Sequence, residues 1–263
     1  MLESTKRHLK TNFERNGGFM SFYREISKYY DYIFPVGENQ LNFIKNCAGK
    51  PGGKILDVAC GSGGYSVELA KEGYLVTAVD IEEEMVEKVK KKASENGLSI
   101  NAFKCDMREL EKKIGERFDT IFCIGNSLVH LTSLKEITDV LGQMRRLLAE
   151  GGFLVLQIVN YDRIIKYNLD GLPTITNDEI GLEFTRKYRY KKESNIIEFN
   201  TSLKIKNGDC ETEYNNSVEL LPLKSGELAA ALRNAGFSAF DFYGDFKYSD
   251  YTEDSHLLVV KAR

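Results

Sequence analysis

The sequence predicts an α/β fold: a mostly parallel sheet with helices on both faces, interrupted after the fifth strand by an antiparallel β insertion. Three observations carry this. Short apolar runs alternate with stretches of helical spacing as far as about residue 160, the order expected of β-α units whose crossovers force parallel pairing. A glycine turn, Gly61-Ser62-Gly63-Gly64, separates the first such run from the helix that follows it. Over 182–221 the pattern changes to three long strand-like runs divided by turn signals, which predicts two hairpins.

Taken in order, residues 1–19 carry Lys6, Arg7, Lys10 and Arg15 and end in Asn16-Gly17-Gly18. They are expected to be a polar leader, either a loosely attached tail or a basic arm. Phe22, Ile26, Tyr29, Tyr30 and Ile33, then Leu41, Phe43 and Ile44, predict two short helices broken at Pro35-Val36-Gly37. The run 54–59 is a buried strand, and 65–71 has helical spacing through Val67, Leu69 and Ala70. A second strand is expected at 75–79. Glu82, Glu83 and Glu84 ahead of Lys88 and Lys90 to Lys92 then place acids at a helix start and bases at its end. Asn96-Gly97 supplies the stop. Strands three to five are expected at 100–104, 119–124 and 153–159, with Ile137, Val140, Leu141, Met144, Leu147 and Leu148 marking the helix before the last. After the insertion, 225–235 returns to helix, and strands at 239–243 and 257–261 finish the chain. The organisation is thus a leader over 1–19, a core over 20–160 and 222–263, and an insertion over 161–221 that serves as a lid or a homodimer surface.

With 263 residues, 42% hydrophobic and 29% charged, the chain has material for one shared core. A net charge of −3 gives no field to attract a phosphate backbone. Five widely spaced cysteines fit free thiols and match no zinc spacing, so no metal is expected. No run approaches the roughly 18 apolar residues of a membrane span, and a cytoplasmic location is expected.

The glycine turn lets backbone N–H groups approach a ligand closely, as in Rossmann-like nucleotide sites. Asp57, four residues before Gly61, tells ligands apart. Like charges at about 5 Å cost roughly 3 kcal/mol at an effective dielectric of about 20, so an acid there opposes a dinucleotide pyrophosphate and favours a cation such as S-adenosylmethionine. Asp80, nineteen positions after Gly61, is placed to accept hydrogen bonds from ribose hydroxyls. Asp106 either accepts from an adenine amino group, with Met107 on the ring, or caps the turn before Arg108.

Ile55-Leu56-Asp57-Val58-Ala59-Cys60-Gly61-Ser62-Gly63, Val79-Asp80, Cys105-Asp106-Met107 and Phe118-Asp119 resemble, in this order, the motifs of class I S-adenosylmethionine-dependent methyltransferases. The resemblance implies a seven-stranded sheet whose last strand is antiparallel. It also implies a donor-binding set of Tyr23, Tyr30, Asp57, Ala59, Gly61, Gly63, Asp80, Ile81, Met85, Asp106, Met107 and Ile124. The segment from Gly125 to Leu131, with Asn160-Tyr161-Asp162, is similar to the glycine N-methyltransferase branch, which puts Ile124 and His130 along the donor and Asn126 toward the acceptor. That branch has an arginine for the acceptor carboxylate where this chain has Val159, so glycine is not held in that way.

The expected activity is methyl transfer to a small-molecule acceptor, an amine nitrogen ahead of an oxygen. A non-catalytic donor-binding protein and an NAD-dependent oxidoreductase are the alternatives. His130, Asn126 and Tyr161 are the catalytic candidates. His130 is open to three readings, as an acid-base group, a donor-side hydrogen bond or a packed residue. Tyr161 and Arg163 either touch substrate or are structural. The run from Arg186 to Lys192 interleaves bases with aromatics. In a strand these divide between two faces, which favours a solvated lid strand over a nucleic-acid surface.

Overall fold

A computed structural model describes residues 18–208 and 210–263, with side chains from residue 25 onward. Residues 1–17 of the leader, the side chain of Tyr23 and the turn residue Asp209 lie outside what is described, and the leader's last two residues, expected to be part of the tail, already belong to the first helix. Two helices open the chain, α1 (Gly18–Ile33) and α2 (Glu38–Ala48), parted as expected at Pro35. Then come β1 (Lys54–Val58), α3 (Gly64–Lys71), β2 (Leu75–Asp80), α4 (Glu83–Glu95) and β3 (Ile100–Lys104). A 3-10 turn leads into the single-turn α5 (Leu110–Lys113), followed by β4 (Phe118–Cys123), α6 (Leu134–Leu147) and β5 (Leu148–Val159). Next are α7 (Tyr161–Lys166) and four consecutive strands: β6 (Gly171–Asn177), β7 (Leu182–Lys191), β8 (Ile196–Asn207) and β9 (Cys210–Leu220). The chain closes with α8 (Ser225–Asn234), β10 (Phe240–Tyr243) and β11 (Leu257–Ala262).

The main sheet has seven strands in the order β10-β11-β5-β4-β1-β2-β3. Only β11 runs against its neighbours; the other pairs are parallel. The chain winds outward from β1 to β3, then returns to β4 on the other side of β1. This reversal opens a crevice at the carboxyl ends of β1 and β4, where open α/β sheets bind ligands. Buried residues alternate along the strands to fill both faces. Leu56, Ile121, Leu154 and Leu156 meet Ile137, Val140, Leu141 and Met144 of α6 and Leu228 and Leu232 of α8. Ile55, Phe122, Val155 and Val259 meet Phe43, Ile44 and Cys47 of α2 and Leu69 of α3. Among the described residues no helix is long and apolar enough to cross a membrane.

The second sheet is antiparallel, in the order β6-β7-β8-β9. It has one strand more than the sequence pattern suggests. β6 contains Pro173 and a register shift between Leu172 and Ile175, so its alternation is broken; as an edge strand it tolerates both. β5 also begins earlier than expected, at Leu148, because its first residues pair with β4 across a register shift. The inner face of this sheet splits into two apolar halves. Leu182, Phe184, Leu203 and Ile205 pack on Ile26 and Ile33 of α1, whereas Tyr188, Ile197 and Leu220 join the main core. α1 therefore bridges the insertion and the crevice.

Candidate active site

The crevice is built on the turn after β1. Ala59, Gly61 and Gly63 have φ of +59°, +54° and +75°. Alternation of left-handed residues turns successive N–H groups to one side, the backbone arrangement that cradles polar ligands. Gly61 is required for a second reason, since a Cβ there would stand 2.5 Å from the Tyr30 hydroxyl. The Tyr30 ring thus lies directly on the turn, its ionisation suppressed by burial and then by Asp80, Cys60 and Asp57. α1 is latched beside it: Ser62 Oγ donates to Asp31 at 2.5 Å, and Lys92 Nζ donates to Asp31 at 2.8 Å and to Ser62 Oγ at 3.1 Å.

Two carboxylates stand behind the turn. Asp80 accepts from Gly61 N at 2.8 Å through one oxygen and from Glu82 N at 3.0 Å through the other, which leaves a further lone pair on each for a diol. Burial raises its pKa and the backbone N–H groups oppose this. Asp57 is 3% exposed and accepts a hydrogen bond from Ser66 Oγ at 2.7 Å. Burial pushes its carboxyl up to about 7, with the Ser66 bond opposing and the Asp80 charge adding to the rise. It forms no ion pair among the described residues, so the pocket behind the turn is short of one positive charge.

Around this centre the other candidates separate. Ile81 is half-exposed at the rim, while Met85 is buried under α4. Asp106 caps the turn after β3 by accepting from Arg108 N at 2.9 Å, and the Arg108 guanidinium occupies both its oxygens; the capping alternative is the arrangement present, and Met107 packs on the main core. Beyond β4, Ile124 is half-buried and Gly125 N donates to Gln157 Oε1 at 2.8 Å. Asn126, in the left-handed region at φ +71°, spends its side chain on structure: Nδ2 donates to the Tyr161 hydroxyl at 2.9 Å and Oδ1 accepts from Val159 N at 3.0 Å. The pair ties the ends of β4 and β5 together instead of pointing Asn126 at an acceptor. Tyr161 is 1% exposed and its ionisation is strongly suppressed by burial, which removes it as a proton carrier. His130 ends the 3-10 turn after β4. It is open to solvent yet surrounded by enough protein to hold its pKa below the ordinary value, so the imidazole is neutral at pH 7.

A model of the methyltransferase domain matches residues 55–152, the span from β1 to β5 that carries the turn and both carboxylates. The glycine/sarcosine N-methyltransferase of Aphanothece halophytica is 26% identical over 94% of this chain and 88% of its own. That of Halorhodospira halochloris is 28% identical over 83% and 79%. An S-adenosylmethionine-dependent methyltransferase structure from Clostridium acetobutylicum superposes with a TM-score of 0.79 at 17% identity, covering 92% of this chain and 98% of that one. Residues 55–152 thus carry a methyltransferase domain, and the relatives and solved structures that match along the rest of the chain support a class I S-adenosylmethionine-dependent methyltransferase.

The methyltransferase cofactor fits the residues present. Asp80 has lone pairs to spare, the turn carries glycine at positions 61, 63 and 64, and Asp57 has no ion-pair partner among the described residues. Sequence reasoning passed over Ser62, Asp31 and Lys92 as a latch, although Asp31 directly follows Tyr30. It also grouped Arg186 with a solvated strand. The alternation of β7, which sets Arg186 in the same row as buried Phe184 and Tyr188, was the available signal.

Proposed function

We propose that this methyltransferase acts on a nitrogen of a small metabolite bound between the carboxyl edge of the main sheet and the inner face of the insertion. When bound, S-adenosylmethionine supplies a methyl group already activated by the sulfonium charge, so the protein's task is alignment and exclusion of water. Asp57 supplies the compensating negative charge, Asp80 orients the ribose, and Tyr30 on α1 covers the turn. An ammonium acceptor has to shed a proton before its lone pair is free. His130, kept neutral by its surroundings, is the base at this edge. The observation that carries the donor side is the buried Asp57, without an ion pair among the described residues, behind a glycine-rich turn. The nitrogen preference is supported by the glycine/sarcosine N-methyltransferase relatives.

Nucleic acid is disfavoured as acceptor: the bases of β7 split between faces, with Lys187 and Arg189 exposed and Arg186 turned inward. Association of two copies through the insertion belongs to the same proposal and is read by sedimentation equilibrium. Free thiols throughout fit a cytoplasmic setting.

Calorimetric titration with S-adenosylmethionine, S-adenosylhomocysteine and NAD tests the cofactor. Mass spectrometry of reactions with matched amines and alcohols tests the acceptor. Binding of the two adenosyl ligands with methylation of amines is expected; transfer to alcohols alone, or tight binding of NAD only, overturns it.

A further inference from the structure

Five buried side-chain N or O atoms of the described residues have no hydrogen-bond partner, and three of them, Arg186 Nε, Tyr188 Oη and Thr201 Oγ1, share one face of the insertion sheet. The strand register explains the grouping. Arg186 lies opposite Thr201 and Thr201 opposite Asn216, one polar row across β7, β8 and β9. The row of Phe184, Leu203 and Tyr214 lies on one side of it and the row of Tyr188, Phe199 and Val218 on the other. The first of these packs with α1 and the second with the main core, so the polar row marks the seam where α1, the insertion and the main sheet converge.

Leaving such groups unpaired is costly. A buried donor left unsatisfied loses the hydrogen bond it made with water, and a half-buried guanidinium without a counter-charge is worse. Arg186 donates from Nη2 to Pro173 O at 2.7 Å, forms no ion pair among the described residues, and keeps its Nε–H buried without a partner among them. Burial opposes its charge, with only the nearby Tyr188 hydroxyl favouring it, yet a guanidinium does not deprotonate in proteins. Contacts continue toward the crevice, because Tyr188 lies close enough to influence Tyr161 and Tyr161 bonds Asn126.

We infer that Arg186, with Tyr188, Thr201 and Asn216, is a specificity-determining seat for a singly charged oxyanion of the acceptor. One guanidinium balances one negative charge, while the two hydroxyls and the amide complete the oxyanion's hydrogen bonds. The seat is on the insertion and not at the end of β5, where Val159 is buried and apolar. The acceptor is therefore longer than a two-carbon unit, with its nitrogen at the sheet edge and its anion under the insertion. That the anion belongs to the methyl acceptor rests on the amine reading; anion binding does not.

The test is titration of the free and the S-adenosylhomocysteine-loaded protein with acetate, dimethyl phosphate and neutral acetamide at constant ionic strength, followed by calorimetry and by the Arg Nε–H resonances. Saturable binding of an anion is expected, at least tenfold tighter than that of acetamide. Arg186→Gln should weaken it at least tenfold and Arg186→Lys restore part of it. Thr201→Val, which keeps the charge, should weaken it several-fold. S-adenosylhomocysteine affinity serves as the control for folding. Preference between acetate and dimethyl phosphate tells a carboxylate from a phosphodiester. Equal binding of acetate and acetamide, or no change in Arg186→Gln, overturns the seat. Anion binding without methylation of any amine would sink the amine reading and leave the seat standing.

Discussion

At the residue scale, the consequential group is Asp57, a buried carboxylate held by the Ser66 hydroxyl and without an ion-pair partner among the described residues. Near pH 7 about half of the free protein carries a proton there. A cationic ligand favours the ionised form, so below pH 7 its binding must expel that proton, while above pH 7 there is none to expel. Affinity for S-adenosylmethionine is therefore expected to rise about tenfold from pH 6 to pH 8. Asp57→Asn should abolish this slope and weaken binding roughly 10- to 100-fold, as a loss of up to about 3 kcal/mol requires. Calorimetry at three pH values decides it; a flat profile in the wild type refutes the role. The placement of Asp57, Asp80 and the glycines around one turn was legible in the sequence because it depends on neighbours along one β-turn-α unit. The alternation of β7 turns Arg186 inward, but its meeting with Thr201 and Asn216 was not legible, because it depends on the register of three strands, which no local pattern reveals. Asp106 shows an intermediate case: its position was evident, but its capture by Arg108 two residues on was a choice between two local arrangements.

At the scale of elements, the Asp31–Ser62–Lys92 latch is the most specific polar contact of α1 among those described. Burial pushes the Asp31 carboxyl up, but hydrogen bonds from Lys92 and Ser62 and the charges of Lys92 and Lys88 outweigh it and leave its pKa below the ordinary value. The latch is accordingly complete at neutral pH and lost as pH falls below about 4. Asp31→Ala is expected to raise amide exchange in α1 several-fold without altering exchange in β4 or β5, as mass spectrometry of peptic fragments would show; uniform exchange across the chain would argue against a local latch. Most elements were legible because their apolar periodicity survives intact, as in α6, where Ile137, Val140, Leu141 and Met144 form one stripe. β6 was not, since Pro173 and a bulge erase its alternation, and an edge strand has only one neighbour to enforce it.

For the whole molecule, the parallel order around β1 makes two cores that share a sheet, with the insertion hung between β5 and α8. Leu141 is fully buried where α6 meets the sheet, and Leu141→Ala should cost about 2–5 kcal/mol of stability, read as a lower urea midpoint at unchanged slope. A loss under 1 kcal/mol would mean that this face is loosely packed. The topology was legible from the alternation of β and α, although the sites it brings together were not. The double engagement of α1 then bears on turnover. Its Tyr30 lies on the turn and its Ile26 and Ile33 pack on the insertion, so with the donor at the turn and the acceptor under the insertion, as proposed, one movement of α1 would serve both and the donor beneath Tyr30 is expected to enter first and leave last. Kinetics should follow a compulsory order, with S-adenosylhomocysteine competing against S-adenosylmethionine but not against the amine.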